Sequence, residues 1–204
     1  MLGYHNIDCM EGMKEFPDKY FELAIVDPPY GRRNWTQGGT WGRKYGNKIN
    51  IWDVEPNTSY FDELRRISKE QIIWGANHFG IITDNFIIWE KLSISESFSM
   101  GMCEFASVSI KGNSKIFEYP PQQSERFHPT QKPIKLYEWL LTNYAKQGDK
   151  ILDTHVGSGS SIIAFEKHGF EYVGYEIDKD YYDSSTKRIL KHRELLMQGK
   201  IWTS

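Results

Sequence analysis

The chain has little of several things that would have decided its class at once. Its 204 residues include only two cysteines, Cys9 and Cys103, far apart and without metal-ligand spacing. That excludes a disulfide scaffold and a cysteine-based zinc site, and it fits a reducing compartment. No other residue set reads as a metal site. No apolar run approaches the roughly 18–20 residues that span a bilayer. The opening residues, MLGYHNIDCMEGMKEF, lack the basic-then-apolar order of a secretion signal. We therefore expect a soluble, cytoplasmic protein with no membrane partner. An excess of positive charge is missing too: the formal net charge is -2, so a polyanion would have to be met by a local patch.

What is present is ordinary core material, 39% hydrophobic and 15% aromatic, enough for one domain over 1–204. Short apolar runs alternate with helical patterns. Strands are expected at Tyr4–Ile7, Phe21–Val26, Gln71–Trp74, Asn85–Trp89, Cys103–Lys111, Lys150–Asp153 and Glu171–Glu176. Helices are expected at Cys9–Glu15, about Ser59–Ser68, Pro133 to about Ala145, Ser160–His168 and Asp180 to about Met197. This alternation predicts an α/β fold, a mostly parallel sheet with helices on both faces. Two stretches stand apart. Residues 31–58 open with a glycine-rich, basic, aromatic loop, and 112–127 read as a polar loop with two prolines.

The stretch ILDTHVGSGSSIIAF reads as strand, glycine turn and helix. Gly157 and Gly159 permit a sharp turn and close backbone approach to a ligand. Glu176, about 20 residues on at the end of the next strand, is placed to accept hydrogen bonds from ribose hydroxyls. A third glycine of the dinucleotide pattern is missing, since position 162 is Ile. That disfavours a pyrophosphate-binding oxidoreductase and favours a nucleoside without phosphates.

Asp27-Pro28-Pro29-Tyr30 ends the most apolar strand. Two prolines cannot continue a central ladder, so the chain must leave the sheet there. The residue types suit one chemistry. An exocyclic base amine is a weak nucleophile because its lone pair is delocalised into the ring. Acceptors on its two hydrogens let the nitrogen rehybridise: the Asp27 carboxylate is one and the Pro28 carbonyl the other. Tyr30 offers a face on which a base can stack. The plain alternative is a strand-ending turn.

Taken in order, Asp27-Pro-Pro-Tyr30, His128-Pro-Thr-Gln-Lys-Pro133 and Asp153-x-x-x-Gly-Ser-Gly159 resemble the DNA N-6-adenine/N-4-cytosine methyltransferases. The catalytic motif precedes the cofactor motif, similar to that family's circularly permuted beta class. The resemblance implies a Rossmann-like methyltransferase fold, S-adenosylmethionine as cofactor and duplex DNA with a flipped base as partner. By position it implies cofactor contacts from Asp8, Lys132, Asp153, His155, Gly157, Ser158, Gly159, Ser160, Glu176 and Asp178. Trp74-Gly-Ala-Asn77 and Ile88-Trp-Glu-Lys91 look like further family segments. Thr154-His155 stand where the family usually has Pro-Phe. The chain also lacks a Pro-Cys dipeptide, which excludes the carbon-5 cytosine reaction.

The slot for a target-recognition insert is short. Recognition is then minimal, rests on the first loop through Arg32, Arg33, Trp35, Arg43 and Lys44, or requires a homodimer. Adenine is the expected target, because Asp-Pro-Pro-Tyr accompanies adenine in this family and Ser-Pro-Pro is commoner for cytosine. N-4-cytosine, an RNA or protein amide target, and a non-catalytic DNA-binding relative stay open. A restriction partner, a phage genome and a regulatory role would leave the same sequence.

Overall fold

A computed structural model describes residues 2–31, 54–97, 101–121 and 126–199. In chain order the elements are β1 Gly3–His5, α1 Cys9–Met13, β2 Phe21–Val26, α2 Thr58–Ile67 and β3 Ser68–Trp74. A short 3-10 turn, Ala76–His78, leads to β4 Asn85–Glu90, β5 Cys103–Val108 and β6 Lys115–Glu118. Then come α3 Ile134–Tyr144, β7 Lys150–Asp153, α4 Ser160–Lys167, β8 Glu171–Tyr175 and α5 Lys179–Met197.

The strands form one eight-stranded sheet in the order β1-β8-β7-β2-β3-β5-β4-β6. Among the described residues every strand runs the same way except β5, which is antiparallel to both β3 and β4. The alternation of β2 explains the layers. Leu23 and Ile25 face a core shared with Leu136 and Leu140 of α3 and Ile162 and Phe165 of α4. Ala24 and Val26 face the opposite core, with Met13 of α1 and Tyr60 and Leu64 of α2. A strand buried on both faces reads as a continuous apolar run, which is why FELAIV was legible. The expected α/β architecture, mostly parallel with helices on both faces, is the observed one.

Two details differ from expectation. The segment read as an unstructured loop at 112–127 contains β6, paired in parallel with β4. Only Phe117 of its four residues is buried, while Ile116 is exposed, so a short edge strand left almost no pattern to read. Helix α2 runs straight into β3, with Ser68 both its C-cap and the first strand residue. No turn residue separates the two, so the strand starts three positions earlier than its apolar run. Of the loop at 31–58, residues 32–53 lie outside the described residues, and with them Arg32, Arg33, Trp35, Arg43 and Lys44. Among the described residues, no helix is long and apolar enough to cross a membrane.

Candidate active site

The shared strand direction brings the ends of β1, β2, β4, β7 and β8 to one edge of the sheet. Strands β2 and β7 are neighbours there, and their connections depart in opposite directions, β2 towards β3 and β7 towards β8. A crevice at such a switch point is where open α/β sheets take ligands. A cavity of about 770 Å³ occupies it, within the range of small-molecule sites.

One half of the cavity is built on Asp27-Pro28-Pro29-Tyr30, all four of which line it. The Tyr30 hydroxyl donates to Asp27 Oδ1 at 2.7 Å. Its ring lies over Gly75, which has φ +66°, so closely that a Cβ there would come within 2.1 Å of the ring. The His78 ring sits beside it with centroids 4.9 Å apart. Burial, reinforced by the adjacent Asp27 carboxylate, pushes the Tyr30 phenol well up, so the hydroxyl remains a donor. On the other oxygen, Lys132 Nζ stands 2.5 Å from Asp27 Oδ2 and 2.9 Å from Glu104 Oε2. Lys91 Nζ meets Glu104 Oε1 at 2.7 Å. Burial alone would raise the Glu104 carboxyl; the ammonium groups of Lys132 and Lys91 overcome this and hold it below the usual carboxylate range. Two carboxylates and two ammonium groups thus alternate along one wall.

The other half lies on the turn after β7. Gly157 and Gly159 have φ +53° and +79°, conformations that side chains rarely adopt. The Gly157 N–H donates to Glu176 Oε2 and the Asp178 N–H to Glu176 Oε1, each at 2.9 Å. Asn6 Nδ2 donates to the Glu176 carbonyl at 2.8 Å, tying β1 to the end of β8. Burial raises the Glu176 carboxyl, opposed by those two backbone donors. Asp8 caps α1 by accepting from the Met10 N–H at 2.8 Å. Two imidazoles, His128 and His155, complete the wall. Burial lowers them to about 3 and about 4, so both are neutral near pH 7.

Of the residues singled out in the sequence, Asp8, Lys132, His155, Gly157, Ser158 and Glu176 line the cavity with the Asp-Pro-Pro-Tyr segment. Asp153, Gly159, Ser160 and Asp178 stand behind it. Asp153 is 1% exposed and accepts from the His155 N–H at 2.9 Å; burial raises it to about 7. Gly159 packs on Ile189 and Ser185 of α5, Ser160 accepts from Arg188 at 2.9 Å, and Asp178 caps α5 through Asp180 N–H.

A family model described as DNA methylase matches residues 50–187. The chain belongs to the N6/N4 DNA methylase family. The matched stretch carries the glycine turn and begins after Asp-Pro-Pro-Tyr, and relatives extend the likeness to as much as 94% of the chain. A putative methylase, YubD of Escherichia coli K12, is 25% identical, covering 94% of this chain and 92% of its own length. The type II methyltransferase M2.MboI of Moraxella bovis is also 25% identical, over 89% and 85%. Among solved structures, the M1.HpyAVI–SAM complex aligns with a TM-score of 0.64 at 18% identity, covering 92% of this chain and all of that one. The cytosine-N4-specific PvuII methyltransferase aligns with a TM-score of 0.61 at 13% identity, over 97% and 93%. At such identities the agreement concerns the fold.

The cofactor of this DNA methylase family is S-adenosylmethionine, and the residues present fit it. Glu176 presents a carboxylate anchored by two backbone donors, and its neighbour Gly157 leaves room that a Cβ would fill, 3.3 Å from the His128 ring. Sequence reasoning gave no role to Glu104, His128 or Tyr60. Glu104 is one acid in an otherwise ordinary strand, CEFASV, and only its proximity to Lys91 and Lys132 distinguishes it. His128 was quoted within a motif, but its place beneath Gly157 is a tertiary fact. The Tyr60 hydroxyl meets Thr154 Oγ1 at 2.6 Å, 94 positions away.

Proposed function

We propose that the protein transfers a methyl group from S-adenosylmethionine to the N-6 amino group of a flipped-out adenine in DNA. The observation that carries this reading is the opening of Asp27-Pro28-Pro29-Tyr30 into the same cavity as the Gly157 turn and Glu176. When bound, the cofactor supplies an electrophilic methyl group on a sulfonium. Glu176 holds the ribose hydroxyls, and Gly157 and Ser158 let the backbone approach the nucleoside. Asp8 and His155 close the adenine-binding side. The neutral state of His128 and His155 spares a cationic sulfonium from repulsion.

On the base side, Tyr30 provides the stacking face. Asp27 and the Pro28 carbonyl accept the two amino hydrogens, which frees the nitrogen lone pair for attack. With the methyl group accepted by the nitrogen, Asp27 would take up its surplus proton and pass it to water. No covalent enzyme intermediate is needed; positioning and charge placement lower the barrier. Lys132, paired with Asp27, belongs to this half of our reading as much as to the cofactor half. Adenine is preferred over cytosine on the Asp-Pro-Pro-Tyr form of the motif. We further propose that 1–204 act as one domain, with the segments 31–58 and 112–127 touching DNA.

The test is incubation of the protein with tritiated-methyl S-adenosylmethionine and mixed-sequence duplex DNA, followed by nucleoside mass spectrometry. N-6-methyladenine that disappears with Asp27→Ala is the expected product. N-4-methylcytosine as sole product refutes the choice of base, and label on RNA or protein alone refutes the choice of target.

A further inference from the structure

Strand β5 is the one that runs against the others, and this reversal has a chemical result. Its first residues, not its last, lie at the edge where β2 and β4 end. Asp27 leaves β2 there, Lys91 follows β4, and Glu104 arrives from the opposite direction. Glu104 shares a strand face with Ala106 and Val108 of the α3-side core, so its carboxylate enters the cavity from below. Lys132 comes from the segment before α3 and is 3% exposed; Lys91 is 8% exposed. The Lys132 ammonium also lies 5.4 Å from the centre of the Trp74 ring, which fixes it from one side.

Two ammonium groups this deeply buried need two anions. Asp27 alone cannot serve both and still receive a base. We propose that Glu104 is a positioning residue for methyl transfer: it takes Lys91 entirely and shares Lys132, so that Asp27 is held in place by one ammonium rather than claimed by two. Through Lys132 it fixes where the Asp27 oxygens point without touching the base or the cofactor. This rests on the reading of Asp27 as the acceptor of the amino hydrogens.

Glu104→Gln keeps the shape and removes the charge. In the full-length protein with mixed-sequence duplex DNA, kcat falls tenfold or more. The Kd for S-adenosylmethionine, measured by calorimetry, stays within about twofold. Glu104→Asp, which keeps the charge, recovers part of the lost kcat and serves as the test if the Gln variant does not fold. Glu104→Gln and Lys132→Gln lose less together than the product of their separate losses, since both act on Asp27 by one route. Wild-type kcat in Glu104→Gln overturns the proposal, as does a fall in cofactor affinity that matches the fall in kcat, or strict additivity with Lys132→Gln. Undiminished turnover by Asp27→Asn, or no methylation by the parent protein, instead overturns the reading of Asp27 itself.

Discussion

Gly75→Ala is the substitution whose consequences are most fully set by the structure. Gly75 has φ +66°, and an added Cβ would lie 2.1 Å from Tyr30 Cε1 and 2.4 Å from Cζ. Real Cβ atoms do not approach that closely, so either the turn or the ring must move. The left-handed conformation costs a residue with a Cβ about 1–2 kcal/mol. The ring carries the hydroxyl that donates to Asp27 Oδ1, and a hydrogen bond to a charged group contributes about 1.5–3 kcal/mol. If the ring yields, that amount is lost where the base must bind. At 1.36 kcal/mol per factor of ten, it corresponds to a fall of about 10- to 150-fold in kcat/KM for DNA. The glycine turn after β7 is not touched, so the Kd for S-adenosylmethionine should be unchanged. Steady-state methylation kinetics beside calorimetric cofactor titration read the two effects separately. Wild-type kcat/KM in a folded Gly75→Ala protein would show that the ring position over Gly75 is irrelevant to turnover.

Other perturbations give separable results. Glu176→Gln should weaken S-adenosylmethionine binding roughly tenfold, read by calorimetry, while DNA binding in a gel-shift assay is retained; equal losses in both would contradict the division of the cavity. Gly157→Ala should also weaken cofactor binding, because φ +53° and a contact 3.3 Å from the His128 ring leave no relaxed place for a methyl. Stability should respond to pH through groups of opposite sign. His128 and His155 are lowered, to about 3 and about 4, so the unfolded chain binds protons that the native protein refuses, and stability rises with pH across about 3 to 6.5. Asp153 is raised to about 7, so its contribution is full below its unfolded value near 4 and is lost as pH rises through about 7. Between about pH 4 and 6.5 Asp153 opposes the two histidines, so the stability of Asp153→Asn, followed by denaturant titration, should rise more steeply with pH than the parent's, and an identical pH profile would count against burial as the cause.

The sequence showed most where one residue type serves one purpose. FELAIV is buried on both faces and could hardly be anything but a central strand. The prolines after it must leave the ladder, and the glycines after β7 must adopt backbone angles other residues avoid. Glu176 was singled out by its distance from that turn, and its carboxylate accepts from the Gly157 N–H. The failures have a common physical cause in contacts that span the chain. Glu104 acquires meaning only because β5 is reversed, and a strand's direction is set by its neighbours rather than its own residues. Lys132 was expected among cofactor contacts, and the structure places its ammonium against Asp27, 105 positions away. Asp178 and Asp153 mark the right region, but one caps a helix and the other lies beneath the turn. Strand β6 was missed because an edge strand with a single buried residue shows no alternation.

The pairing of β1 with β8 has a consequence for how the molecule comes into being. The bond from Asn6 to the Glu176 carbonyl joins residues 170 positions apart, and closing so long a loop is entropically costly until much of the sheet exists to reward it. On a ribosome the first strand must wait, unpaired, until β8 has emerged. The half of the cavity built on Gly157 and Glu176 is therefore the last to be assembled. A nascent chain that already holds Asp-Pro-Pro-Tyr but not yet β8 lacks the contact between Gly157 and Glu176, so the two halves of the cavity come together in one step, when β8 joins the sheet.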